Sequence, residues 1–385
     1  MKHAKLSCSG SKIWLACPPS VVLGDQFPDT PSDASREGTF AHDLAEHRLL
    51  VSLNRLPHYT AESDIPEYAN WYSKESSDYI NEYVQRCLNA YKDAGPGAVC
   101  YTERKLPTSA WVPDGFGTVD FIIIGADGCM TVIDLKFGKG VPVDAVDNPQ
   151  LRLYALGAVQ EFGHLFYLKE VTMIIDQPRL NSRTNDSDSV VDLIKWADTI
   201  VAPAAALASK GEGEFSPGEH CRFCKARHAC RARADQVTGL AAMEFKPPSL
   251  LSDAEVAQVL NLADQLTAWA SDVRAHAQRR VEAGNQLPGW KLVEGRSNRV
   301  ITDMDSIAQR LKVAGIDEAL IYERSLYPLT TLERVVGKKA FAELAGDLIA
   351  KPPGRATLVP DSDKRPAIVG RADAAADFST ATQEI

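Results

Sequence analysis

The clearest alternation of apolar and polar positions lies at residues 117 to 140, GTVDFIIIGADGCMTVIDLKFGKG. Two β-branched runs, FIII and TVID, flank the turn residues Gly125, Ala126, Asp127 and Gly128, a pattern that predicts an antiparallel hairpin. With its centre near Asp127, Asp120 lies seven residues before the turn and Asp134 seven after it, opposite each other on one face. Lys136 follows by two and shares that face.

The flanking periodicity supplies the rest of the core. Residues 11 to 16 predict a short helix ended by Pro18 and Pro19, followed by a Pro/Asp/Ser-rich loop through Ser35. REGTFAHDLAEHRLL then begins a helix with the apolar stripe Ala41, Leu44, Ala45, Leu49 and Leu50, and with His42 and Glu46 at i, i+4 on its flank. Residues 66 to 94 read as a second helix with core aromatics. A strand around AVCYTERKL, the hairpin, the helix NPQLRLYALGAVQEFG, a strand in LKEVTMIIDQPR and a helix near 189 to 208 complete the series. Gln150 and Tyr154 project from one face of the middle helix. The order predicts an α/β fold with a mixed central sheet flanked by helices on both faces.

Further along, a long helix runs from Ser252 to about Glu282, with Ser252 and Glu255 in capping-box register and Gly284 at its end. Val256, Leu260, Ala263, Leu266, Ala270, Val273, Ala277 and Val281 form a near-heptad seam, expected to pack on the core, with a partner helix as the alternative. The expected organisation is a core domain over 1–235, the connecting helix over 249–284, a small α+β accessory domain over 285–366 and a disordered tail over 367–385.

Composition narrows the class. The 385 residues are 45% hydrophobic and 24% charged, ordinary for a soluble globular protein. No run approaches the roughly 20 apolar residues of a membrane span, and MKHAKLSCSG lacks a signal-peptide core, so a cytoplasmic location without membrane contact is expected. A net charge of -9 argues against nonspecific nucleic-acid binding by the whole surface but leaves room for a local basic groove.

Two features carry candidate chemistry. Like charges opposed on an apolar sheet are destabilising unless a cation sits between them, and carboxylates suit Mg2+ or Mn2+. An ammonium such as Lys136 would offset charge developing on a phosphate. The plainer alternative is a wet edge hairpin in which Lys136 pairs with an Asp. The second feature is the C-x2-C-x5-C run of Cys221, Cys224 and Cys230, within a segment where five basic and no acidic side chains lie between Cys221 and Ala234. A closed metal centre needs a fourth ligand. Cys17, beside the two prolines, is one candidate and Cys8 another, while His220 or His228 would complete a zinc site instead. One Cys pair plus a single Cys favours iron–sulfur over paired zinc knuckles; three buried, metal-free thiols are the remaining reading.

Together, GTFAHDLAEHRLL, the hairpin and NPQLRLYALG resemble the successive motifs of RecB-type nucleases in the PD-(D/E)XK superfamily. Cys17 with the cysteine run resembles its iron–sulfur branch, which includes the AddB nuclease domain and CRISPR-adaptation nucleases. The resemblance covers roughly residues 1 to 235 and implies a restriction-endonuclease-like core. It implies that Asp120 and Asp134 bind catalytic Mg2+ or Mn2+, with His42 and the Leu135 carbonyl as further ligands. Lys136 would orient the attacking water, Gln150 and Tyr154 would position the substrate strand, and Glu103 matches a more variable acidic position. Cys17, Cys221, Cys224 and Cys230 would hold a 4Fe-4S cluster as a structural staple, with structural Zn2+ as the alternative. The usual Glu of the (D/E)XK element is Asp here. The region from GWKLVEGRSNR onward resembles the C-terminal half of an uncharacterised phage and prophage family. The implied activity is DNA cleavage, as an exonuclease in phage recombination or replication, with a recombinase or single-strand-binding protein as a fitting partner. The reading from another class is a noncatalytic DNA-binding or scaffold protein that keeps the fold.

Overall fold

The computed structural model describes residues 4–28, 32–57, 60–238, 252–291 and 304–314, with 333, 336–345 and 348–349. The chain divides into two units, Met1–Pro288 and Gly289–Ile385. In the first, the elements are α1 (Ser11–Ala16), α2 (Ser20–Gly24), α3 (Asp33–Ser52), α4 (Tyr68–Trp71), α5 (Lys74–Asp93), β1 (Val99–Pro107), β2 (Phe116–Ile124), β3 (Cys129–Leu135), α6 (Pro149–Phe162), β4 (Glu170–Gln177), β5 (Ser182–Ser189), α7 (Val190–Trp196), α8 (Ala202–Lys210), α9 (Arg231–Thr238) and α10 (Asp253–Glu282). A π-helical turn, Ala197–Val201, joins α7 to α8. The described part of the second unit includes the helices Met304–Val313 and Lys338–Ala345. Much of the accessory domain expected over 285–366, and the whole tail expected over 367–385, lie outside the described residues. Among the described residues, no helix is long and apolar enough to cross a membrane.

The fold is α/β, with one mixed five-stranded sheet in the order β1-β2-β3-β4-β5. All neighbours pair antiparallel except β3 and β4, which run parallel because α6 carries the chain back between them. Asn148 caps α6, its side chain accepting from the N–H groups of Gln150 and Leu151, and Pro149 occupies the first turn, where no N–H is needed. Each sheet face buries a separate core. On one side Ile122, Ile124, Val132, Met173 and Ile175 pack with Trp14 of α1 and with α6, α7 and α8. On the other, Phe121, Ile123 and Ile133 pack with Phe40, Leu44 and Leu49 of α3 and Ile80, Tyr83 and Val84 of α5.

Three ion pairs hold α3 and α5 against the second face. Arg48 donates through Nε and Nη2 to Glu62 at 2.8 and 2.9 Å and also bonds the Ser77 carbonyl and hydroxyl, joining α3 to α5. Arg86 of α5 reaches the fully buried Asp176 at the end of β4 at 2.7 Å. Arg179 fixes Glu37 near the start of α3 at 2.6 Å. Asp176, fully buried, is specified in position by its pairing, since losing Arg86 would strand its charge.

Several sequence expectations change. The helix expected over 66 to 94 is two, because Ser73 and Ser76 form a reciprocal capping box that starts α5 afresh. The loop expected through Ser35 ends earlier, where Ser32 caps α3 and accepts from the Ser35 N–H. β5 is an additional strand: SRTNDSDS has no apolar alternation, and it pairs only with β4 at the sheet edge. The seam of α10 was expected to pack on the core, but Val256, Leu260, Leu266 and Val273 are exposed. This helix is fastened instead by polar contacts, with Asp272 receiving Arg227 Nε at 2.9 Å and the buried Arg233 at 2.7 Å.

The approach of α6 to β1 depends on Gly157. A Cβ there would lie 2.9 Å from Leu106 Cβ and 3.1 Å from the Pro107 carbonyl oxygen. Gly157→Val is therefore expected to lower the unfolding free energy by about 1–3 kcal/mol through overpacking. Urea denaturation of the full chain measures this, and an unchanged midpoint would place α6 farther from the sheet.

Candidate metal centre

Strand register builds the site. β1 and β2 pair Thr102 with Phe121 and Arg104 with Val119, which sets Glu103 opposite Asp120. β2 and β3 pair Phe121 with Ile133, and the next step sets Asp120 opposite Asp134. Three carboxylates thus stand in one row across three adjacent strands. At this level the sheet departs from regularity. Glu103 has a left-handed φ of 41°, while Val119 packs into the first core and Phe121 into the second, so the inward–outward alternation slips at Asp120. Left-handed backbone at a non-glycine residue costs about 1–3 kcal/mol and collects at functional positions.

α3 lays His42 over the row. Its Nδ1 is 3.2 Å from Asp120 Oδ1 and 3.7 Å from Glu103 Oε1. The ligand atoms of His42, Glu103 and Asp120 all lie within 4.8 Å of one another, an arrangement that can hold a metal ion. Burial opposes charge on His42, but the Asp120 and Glu103 carboxylates outweigh it and push its pKa well above the ordinary range. Burial raises the Glu103 carboxyl, with His42 acting in the opposite sense and Asp120 adding to the rise. Asp120 Oδ2 accepts the Leu135 N–H at 2.6 Å, which locks β2 to the end of β3.

A second chain of contacts adjoins the first. Asp134 is 1% exposed, and burial raises its carboxyl to about 6 against the pull of Lys136. Lys136 Nζ sits 2.8 Å from Asp134 Oδ2 and donates to Gln150 Oε1 at 3.1 Å. Burial disfavours the ammonium, yet Asp134 and Asp120 more than compensate and raise its pKa, so it is a cation at neutral pH. Gln150 Nε2 donates to Asp134 Oδ1 at 3.0 Å and to Tyr154 Oη at 2.9 Å. Tyr154 is buried, and Gly117 makes room for it, since a Cβ there would lie 2.7 Å from the Tyr154 ring. Tyr154 therefore acts on the site through Gln150.

The structure thus places His42, Glu103 and Asp120 as one trio and Asp134, Lys136, Gln150 and Tyr154 as a linked group beside it. Leu135 enters through its N–H. Tyr83 and Glu46 complete the wall around His42, Glu103, Asp120 and Leu135. Sequence reasoning passed over Tyr83 because it is one of several aromatics at helical spacing in α5. The carboxylate donors of Glu103 and Asp120 suit Mg2+ or Mn2+.

Cys17, Cys221, Cys224 and Cys230 line one small cavity, together with His220 and Arg233. Cys8 belongs elsewhere, buried in the core beside Gly117. Burial raises the Cys224 thiol, and Cys221, Cys17 and Cys230 raise it further. His228 stacks on His276 of α10, ring centroids 3.9 Å apart. Among the described residues, His42, Glu103 and Asp120 form the one group of three or more metal-binding side chains drawn within 4.8 Å.

Among solved structures, the crystal structure of SSO0001 is similar at 16% identity, over 58% of this chain and 96% of that chain, with a TM-score of 0.24. That likeness is too slight to bear on the chemistry here. The model of the family described as "Protein of unknown function (DUF2800)" matches residues 3–366, and the chain belongs to that family.

Proposed function

We propose that this chain is a metal-dependent DNA nuclease with a restriction-endonuclease-like core of the PD-(D/E)XK type. One observation carries the proposal: the His42, Glu103 and Asp120 ligand atoms converge within 4.8 Å beside a buried Asp134 that is paired with a charged Lys136. His42, Asp120 and Asp134 would hold Mg2+ or Mn2+, with Glu103 and the Leu135 carbonyl as further ligands. Bound there, the ion supplies Lewis-acid polarisation of a phosphodiester and makes water a stronger nucleophile at neutral pH.

The chain's own groups do the rest. Lys136 brings a fixed positive charge to phosphate oxygens that gain negative charge in the transition state. Gln150 holds both Asp134 and Lys136 in place, and Tyr154 fixes Gln150 from behind. The substrate is DNA, and cutting from ends or on single strands fits a role in recombination or replication, beside a recombinase or a single-strand-binding protein. The expected test is cleavage of end-labelled linear and closed circular DNA with Mn2+. Asp134→Asn is expected to lower the rate at least a hundredfold, the scale of losing a group that acts on the transition state. Wild-type protein that binds DNA but cuts none under either metal would instead support the noncatalytic DNA-binding role.

Proton competition gives an independent check. A metal ion must displace the proton that Asp120 and Glu103 hold on His42, so binding releases protons and is favoured as pH rises. Mn2+ affinity measured by calorimetry is expected to increase between about pH 6 and about pH 8, with heats that depend on the buffer's ionisation enthalpy. Affinity indifferent to pH would remove His42 from the ligand set.

Cys17, Cys221, Cys224 and Cys230 are proposed to hold a 4Fe-4S cluster. Their shared cavity supports this. Cys17 precedes Cys221 by 204 positions (221 − 17), so the cluster would tie the start of the core domain to its end, worth about 3–5 kcal/mol by analogy with a long-loop cross-link. Its role is structural. Anaerobically purified protein is expected to contain iron and acid-labile sulfide, and Cys17→Ser to lose both and unfold at a lower temperature. Stoichiometric zinc without iron would overturn the assignment.

A further inference from the structure

A cavity of about 300 Å3 opens between the N-terminal segment and the cysteine turn, and no residue of the carboxylate row lines it. Lys5, Ser7, Ser20, Asp25, Phe223 and Lys225 are among its walls. Phe223 is 56% exposed, and the Arg222 guanidinium lies 5.7 Å from its centroid. Lys5 pairs loosely with Asp25 at 3.6 Å. Ser20 is 7% exposed, and its Oγ has no hydrogen-bond partner. A buried hydroxyl left unsatisfied is unfavourable, and a polar ligand that reaches it removes that cost.

We infer that this cavity seats one nucleotide of a single DNA strand, the base lying against Phe223 and the phosphate meeting Lys5 and Lys225. Its volume stands at the small end of ligand pockets, with room for one base and its phosphate. An aromatic face flanked by cations is the arrangement that holds unpaired bases, because every base offers a π-face once it leaves the stack. A paired base in a duplex has both faces covered and does not enter. Asp25 gives the seat a carboxylate able to accept from an exocyclic amine. Cys224 lines both this cavity and the cysteine cavity, so order in the cysteine turn also sets the position of Phe223 and Lys225.

The inference rests on the nuclease reading for its choice of DNA, and the test separates the two. Full-length protein in EDTA, where cleavage is stopped, is titrated against a labelled oligodeoxythymidylate and against a blunt duplex, with anisotropy as the readout. Phe223→Ala is expected to weaken single-strand binding about tenfold while leaving duplex binding unchanged, and Phe223→Trp to restore it. Lys225→Ala is expected to reduce the salt dependence of single-strand binding by about one counterion. A single strand carrying 2-aminopurine should be quenched by wild type and not by Phe223→Ala. Because Phe223 is exposed, these variants keep the fold, which thermal melts verify. If wild type cuts DNA but Phe223→Ala and Lys225→Ala bind the single strand as wild type does, the cavity seats no nucleotide. If wild type neither binds nor cuts any DNA, the nuclease reading falls and takes this one with it.

Discussion

Three carboxylates in one row, two of them buried, are the constraint on which the core is arranged. Glu103, Asp120 and Asp134 come from three adjacent strands, and register leaves them no way to separate. Like charges so placed repel, and burial compounds the cost. The chain answers with two cations from different directions, His42 from the helix above and Lys136 from the strand end. Both are held in their charged forms by the row they neutralise. The site is therefore assembled with its ligands already facing inward, and a divalent ion would take over a balance that protons and side chains keep in its absence.

This balance explains how the surrounding helices are fixed. α3 must hold His42 to within a fraction of an ångström, and Arg48 and Arg179 clamp it at two places along its length. α6 fills the crossover that makes β3 and β4 parallel, and the same helix delivers Gln150 to the other side of the row. The crossover thus has a topological role and a chemical one. Gly117 and Gly157 serve the same end, the first by leaving space for Tyr154 and the second by letting α6 lie close to β1.

Much of this was legible in the chain itself. The hairpin register follows from two β-branched runs of equal length around a Gly-rich turn, and it carries Asp120, Asp134 and Lys136 with it. The capping box at Ser252 is a local signal and appears where it was expected. What escaped was either nonlocal or unpatterned. β5 has no apolar face to announce it and exists because β4 offers an open edge. Glu103 gained its place beside His42 from a left-handed kink inside a strand, a conformation that an ordinary Thr-Glu-Arg run does not signal.

The contacts of Asp272 have a meaning for how the protein is made. Arg233, 5% exposed, finds its carboxylate 39 residues further along the chain, on a helix that also brings His276 to His228. As the chain leaves the ribosome, the cysteine-bearing turn emerges before the group that closes over it. Arg227 and Arg233 therefore wait for a carboxylate made 45 and 39 residues after them, and the turn is fastened to α10 only once that helix has been synthesised.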